Sequence, residues 1–147
     1  MRTLAIDLGT KRIGLALSDE GGRFATPLDV LEVTAPQQAI SRIASLVKTE
    51  AVERLLVGLP LNMDDTLGPA AKQTLAWSKQ LAAACGIAVV FVDERLSSFE
   101  AEDQLRQMKR AGAKLTRAQK KSRLDALAAT HFLQAFLDGK LPPIAMS

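Results

Sequence analysis

Carboxylates stand at three places where their surroundings are otherwise apolar. Asp7 ends the run Thr3–Ile6 and is followed by Leu8-Gly9. Asp93 and Glu94 end the run Ile87–Val92. Asp125 stands in a helical pattern, in line with Ala129, Phe132 and Phe136 by 3–4 spacing. An acid at the end of an apolar strand, or on the apolar face of a helix, is costly without a cation or hydrogen bonds. Asp7, the Asp93-Glu94 pair and Asp125 would thus form one acidic site. Oxygen-only ligands suit a hard cation, Mg²⁺ or Mn²⁺. Two such ions about 3.5–4 Å apart can activate water and stabilise the leaving oxygen in phosphodiester hydrolysis. Each acid also has a plainer reading. Asp7 before Gly9 fits an Asx turn, Asp93 and Glu94 fit an ion pair with Arg95, and Asp125 fits a charge pair with Lys121.

These acids converge only if the intervening elements bring them together. Thr3–Gly9 and Arg12–Asp19 read as strands, and the short link between them makes a hairpin. Phe24–Val33 reads as a third strand after Gly21-Gly22. Thr34 is a candidate cap and Pro36 a helix start, with Ile40, Ile43, Ala44 and Val47 at helical spacing. Arg54–Leu59 (RLLVGL) reads as a buried strand ended by Pro60. A loop, Leu61–Pro69, precedes a helix from Ala70 to Ala84 that stops at Gly86. Ile87–Val92 is a further buried strand. Ser97 or Ser98 caps a helix to about Arg110, Gly112 breaks it, and Ala118–Leu137 is the last helix. Leu141-Pro142-Pro143 reads as a frayed end. A hairpin followed by alternating strands and helices predicts an α/β domain with a mixed five-stranded sheet flanked by helices. Residues 1–138 form the domain and 139–147 a C-terminal tail. Open α/β sheets bind ligands at the carboxyl ends of their strands, where Asp7, Asp93 and Glu94 fall.

The chain has 147 residues, enough for one domain with a real core. A single cysteine, Cys85, excludes an internal disulfide framework. No window is long and apolar enough for a membrane span, and the N-terminus lacks a signal-peptide core. The net charge is +3, and its distribution matters more than its size. Arg106 to Arg123 holds eight basic residues and no acid, including Lys120, Lys121 and Arg123. Such a run suits a nucleic-acid backbone; it also fits a solvated helix face and loop. His131 reads as a packing or surface residue and Trp77 as core or interface. Aromatic residues make up 4% of the chain, too few for a base-stacking surface.

Four segments together, Asp7-Leu-Gly-Thr-Lys-Arg-Ile-Gly14, Val57-Gly-Leu-Pro-Leu-Asn-Met-Asp64, Asp93-Glu-Arg-Leu-Ser97 and Asp125-Ala-Leu-Ala-Ala129, resemble the YqgF family, also called the RuvX family of candidate Holliday junction resolvases. The resemblance runs from Met1 to about Leu137. It implies an RNase H-like fold, a bacterial cytoplasmic setting, kinship with RuvC-type resolvases and a link to 5′-end maturation of 16S ribosomal RNA. By it, Asp7, Glu94 and Asp125 match the family's acidic site, Lys11 and Arg12 its hairpin turn, Arg95 its strand-end motif, and Asn62 a loop lining the same cleft. The chain departs from the family in Asp64-Asp65, where Asp-Gly is usual, and in Ser98, where Thr is common. In RuvC-type enzymes the second acid comes from the strand that here ends Val57-Gly58-Leu59-Pro60, which has none; Glu94 replaces it from another strand.

The resulting expectation is a nuclease dependent on Mg²⁺ or Mn²⁺, with two ions, acting on precursor 16S RNA. Branched DNA is the alternative substrate. A nucleic-acid-binding ribosome assembly factor with weak activity is a second alternative, with the small ribosomal subunit as partner. Asp-Leu-Gly-Thr also resembles the phosphate loop of actin-like kinases, but those close two domains around ATP. A monomer and a homodimer both fit.

Overall fold

The computed structural model describes residues 1–9, 11–64, 66–94 and 117–144, and in the last helix the side chains from residue 126 onward. The expected helix after Ser97 or Ser98, the loop around Gly112, and Arg95 lie outside the described residues. In chain order the elements are β1 (Thr3–Leu8), β2 (Arg12–Ser18), β3 (Ala25–Glu32), a 3-10 turn (Pro36–Ala39), α1 (Ile40–Thr49), β4 (Arg54–Leu59), α2 (Pro69–Cys85), β5 (Ala88–Asp93) and α3 (Arg117–Leu137). The strands form one five-stranded sheet in the order β3-β2-β1-β4-β5. β1 pairs antiparallel with β2 and parallel with β4, and β4 pairs parallel with β5. The expected mixed sheet is therefore the observed one.

Period-2 alternation sorts the strand residues onto two faces. Leu4 and Ile6, Ile13 and Leu15, Leu55 and Val57, and Phe91 join Ile43, Val47, Trp77 and Leu81 in the core beneath α1 and α2. Ala5, Ala16, Leu56 and Val92 join Ala129, Phe132 and Leu133 in the core beneath α3. The second face is built from smaller side chains, with Gly14 and Gly58 falling on it by the same alternation. Small residues let α3 approach the strands closely. Gln134 stitches the helix down: its Oε1 accepts the N–H of Ala25 at 2.9 Å and its Nε2 donates to the carbonyl of Arg23 at 2.9 Å. At the same end of the sheet Arg54 lies over the Phe136 ring, 4.8 Å from its centroid, and donates to Thr3 Oγ1.

Several local expectations shift. β3 is an edge strand whose register slips beside Pro27, which has no N–H to donate. Thr34 does not cap the helix by itself. Its N–H donates to Gln38 Oε1 while Gln38 Nε2 donates back to Thr34 Oγ1, at 2.9 and 2.7 Å. Pro69 belongs to α2 as a first-turn residue, where its missing N–H costs nothing. Gly86 ends α2 with φ +69°, as a helix-stopping glycine should.

The frayed tail is the clearest correction. Leu141 is buried against Ala5, Leu56 and Phe132, and the Ile144 N–H donates to the Phe91 carbonyl at 2.7 Å. The signal for fraying was the Pro-Pro pair, but two prolines also give a stiff extended segment that reaches an exposed strand edge. Leu141→Ala should cost about 2–5 kcal/mol of stability, read from urea unfolding. A loss below about 0.5 kcal/mol, the range of a surface substitution, would show that this segment adds nothing to the core.

Candidate active site

The site begins with the first hairpin. The Gly9 N–H donates to the Arg12 carbonyl at 3.0 Å, closing the turn. A Cβ on Gly9 would sit 2.5 Å from that same oxygen, so the turn admits no side chain there. Asp7 lies opposite Gly14, just before this turn. By alternation with Ala5 it faces α3.

Glu94 arrives from the other direction. β5 formally ends at Asp93, but the Glu94 N–H still donates to the Leu59 carbonyl at 3.3 Å. The ladder thus continues for one residue, and Glu94 shares the α3 face with Val92. Asp93 shares the opposite face with Phe91. Between β1 and β5 lies β4, and Gly58 is the residue paired with Val92. A Cβ on Gly58 would fall 2.9 Å from Glu94 Cβ, 3.2 Å from Glu94 Oε2 and 3.2 Å from the Phe132 ring. Glu94 therefore leans across β4 through the space left by the missing side chain. Its carboxyl meets that of Asp7 and shares a hydrogen bond with it.

The electrostatic consequence is large. Burial, then the Asp7 charge and hydrogen bond, then the Asp93 charge, push the Glu94 carboxyl up to about 8. Two carboxyl groups this close cannot both ionise without a counter-cation. At neutral pH one proton bridges them, or a cation replaces it. The donor set fits a hard divalent ion: oxygen ligands, half-buried, converging on one point. Among the described residues no group of three potential ligands gathers at one place. The expected third ligand, Asp125, belongs to the α3 backbone, but its side chain lies outside the described residues.

The remaining expected residues divide. Lys11 and Arg12 line an open depression with Glu32, Thr34 and Gln38, a different one from the cleft that Glu94 lines. Asn62 serves its own loop: its Nδ2 donates to Thr66 Oγ1 at 3.0 Å, and its amide packs where a Gly68 Cβ would be. It is not among the residues lining the cleft beside Glu94. The side chains of Lys120, Lys121 and Arg123 lie outside the described residues, as does Arg95. Trp77 is core, with its indole N–H donating to the Pro36 carbonyl at 2.9 Å. Cys85 is half-buried, and burial raises its thiol pKa. Gly58 is the functional residue that motif reading passed over. A glycine inside an apolar strand was the available signal, since it often marks a close approach.

Sheet order, the flanking helices and an acid pair at the strand ends define an RNase H-like domain of the resolvase kind. Thermus thermophilus RuvC, solved in complex with a Holliday junction substrate, superposes with a TM-score of 0.61 at 19% identity, covering 98% of this chain and 99% of that one. The Fowlpox virus resolvase, solved with junction DNA, gives 0.56 at 8% identity over 95% and 98%. Residues 1–139 match the family model described as RuvX: Holliday junction resolvase, and the chain belongs to that family. A relative from Anaeromyxobacter sp. (strain K) is 42% identical over 142 residues, 97% of this chain and 100% of its own length. One from Pelotomaculum thermopropionicum is 41% identical over 144 residues, 97% of this chain and 90% of its own. Both carry the provisional name pre-16S rRNA nuclease.

The carboxyl pair sets a pH dependence. Glu94 holds its proton up to about 8 in the folded chain, against 4.5 for an ordinary glutamate. Between those values the folded state binds the extra proton, so metal-free stability falls as pH rises through that window. Urea unfolding at pH 5 and pH 8 without divalent metal should show this loss. Glu94→Gln should flatten the difference. An equal pH dependence in wild type and Glu94→Gln would remove Glu94 as its source.

Proposed function

We propose that the chain is a metal-dependent nuclease that hydrolyses phosphodiester bonds in 5′-end maturation of precursor 16S RNA. The observation that carries it is the Asp7–Glu94 pair, two carboxyl groups pressed together at the strand ends so that a proton or a cation must sit between them. Family membership and the names of the relatives point to the same chemistry.

Asp7 and Glu94 would hold Mg²⁺ or Mn²⁺ from the sheet and Asp125 from α3. Helical spacing supports the last assignment, since Asp125 lies one turn before Ala129, which is fully buried against the sheet face that carries Asp7 and Glu94. Two ions, when bound, supply an activated water and charge neutralisation at the leaving oxygen. The chain's own work is to fix the ligands. Backbone pairing on both sides of β4 holds Asp7 and Glu94. Lys11, Arg12 and Arg95 would meet the phosphate backbone, with Lys120, Lys121 and Arg123 extending the positive track before Asp125. Asn62 would act through its loop. No helix among the described residues is long and apolar enough to cross a membrane. We place the chain in the cytoplasm with the small ribosomal subunit as its setting.

The family description favours a second substrate, a four-way DNA junction. Cleavage by purified protein with Mn²⁺ or Mg²⁺ of precursor 16S RNA, single-stranded RNA and a DNA junction separates the two. Preferential cutting of the precursor RNA is expected. Asp7→Asn, Glu94→Gln and Asp125→Asn should each reduce it by about a hundredfold or more, since loss of even an indirect metal contact costs about 10–100-fold. Cutting that survives Asp7→Asn would belong to a contaminant or to another site. Preference for the junction would transfer the reading to DNA.

A further inference from the structure

A cleft of about 530 Å³ opens at Glu94 and runs over the ends of β1 and β4 onto α2. Glu94 apart, the hydrolytic reading uses none of the residues lining it. One wall is a stripe of α2 formed by Gln73, Ala76 and Gln80, at spacing i, i+3 and i+7. The facing wall is Pro36-Gln37, and Leu8 and the edge of Trp77 form an apolar floor. Glu94 is the one acid or base among the described residues lining it. The next stripe of α2 carries Lys72 and Lys79, both exposed and about 10.5 Å apart along the axis. No acid occurs anywhere in α2.

This lining discriminates between parts of a nucleotide. A phosphate gains little from neutral amides above an apolar floor. A nucleobase gains from both, because its faces are apolar and its edges carry donors and acceptors, which a glutamine amide can match in either sense. The cleft lies within the range of about 300–1,000 Å³ usual for small-molecule sites. The lysines on its flank have the charge and spacing to hold backbone phosphates outside it.

We propose that this cleft receives the base of an unpaired nucleotide next to the scissile phosphate, with Gln73 and Gln80 contacting the base and Lys72 and Lys79 the flanking phosphates. The placement next to the scissile bond rests on the nuclease reading; the binding itself does not. An unpaired base in the cleft makes single-stranded nucleic acid the ligand class and turns the strand from the carboxyl pair toward α2.

The test is fluorescence anisotropy with a short labelled single-stranded RNA, without added divalent metal, and with a series in which each nucleotide in turn is abasic. The double variant Gln73→Ala/Gln80→Ala, on an exposed helix face where Ala preserves the fold, should bind about tenfold more weakly, the worth of two neutral hydrogen bonds. One abasic position should weaken wild type by a similar factor and the double variant no further. Lys72→Ala/Lys79→Ala should reduce the slope of log K against log salt by about 1.4. Wild-type affinity in both double variants overturns the proposal. So does an abasic penalty that adds in full to the glutamine variant, or an absence of RNA binding by wild type. Base-dependent binding as described with no cleavage of any RNA would contradict the nuclease reading and keep the cleft. Normal binding by both variants alongside efficient cutting would do the reverse.

Discussion

Two carboxyl groups that resist ionising together are held side by side at the top of this sheet, and much of the architecture exists to hold them. Asp7 is fixed by the hairpin that turns at Gly9. Glu94 is fixed by one extra rung of the ladder between β4 and β5. Neither would reach the other across a strand of ordinary residues, because a Gly58 side chain would occupy the path of the Glu94 chain. The absence of one Cβ thus converts two separate strand-end acids into a pair. The cost is a carboxyl that keeps its proton to about 8. A divalent ion between the two carboxyl groups would remove that cost.

The same economy of side chains shapes the α3 face. Ala5, Ala16, Gly14 and Gly58 form a low surface on which Ala128, Ala129 and Phe132 settle closely. The other face carries Leu, Ile and Val and accepts α1 and α2 at ordinary distance. This asymmetry explains how one helix comes within reach of two strand ends. The sequence resemblance to RuvC-type enzymes implies an acid on the strand equivalent to β4. Here a glycine stands there and a longer acid from the neighbouring strand leans over it. A carboxyl from a different backbone position is thereby delivered to the middle of the sheet edge.

Much of this was legible in the residues. Strand positions followed from apolar runs and turn residues, the hairpin from the short Gly9–Arg12 link, and the sheet class from the order of elements. Asp7 and Glu94 were legible as strand-end acids. Their meeting was not, because it depends on the register of β4 against β5, a non-local pairing that no local pattern encodes. Gly58 was visible as a residue but not as a gap, for the same reason. Asn62 reads as a cleft residue by motif; in the fold its Nδ2 donates to Thr66 within its own loop. The seat of Leu141 is not legible because Pro-Pro resembles a chain end, while burial of a lone leucine depends on what lies opposite it. The α2 cleft escaped notice because glutamine and alanine carry no motif; only the fold shows that they line a path from the carboxyl pair.

The pairing of Asp7 with Glu94 can be observed directly. Carbon-detected NMR titration of the Glu94 side-chain carboxyl in the metal-free protein reads its protonation without reference to activity. A midpoint near 8 is expected in wild type. In Asp7→Asn the midpoint should fall while staying above 4.5, since burial persists when the neighbouring charge is gone. A wild-type midpoint near 4.5, unmoved by Asp7→Asn, would mean that the two carboxyl groups do not meet across Gly58.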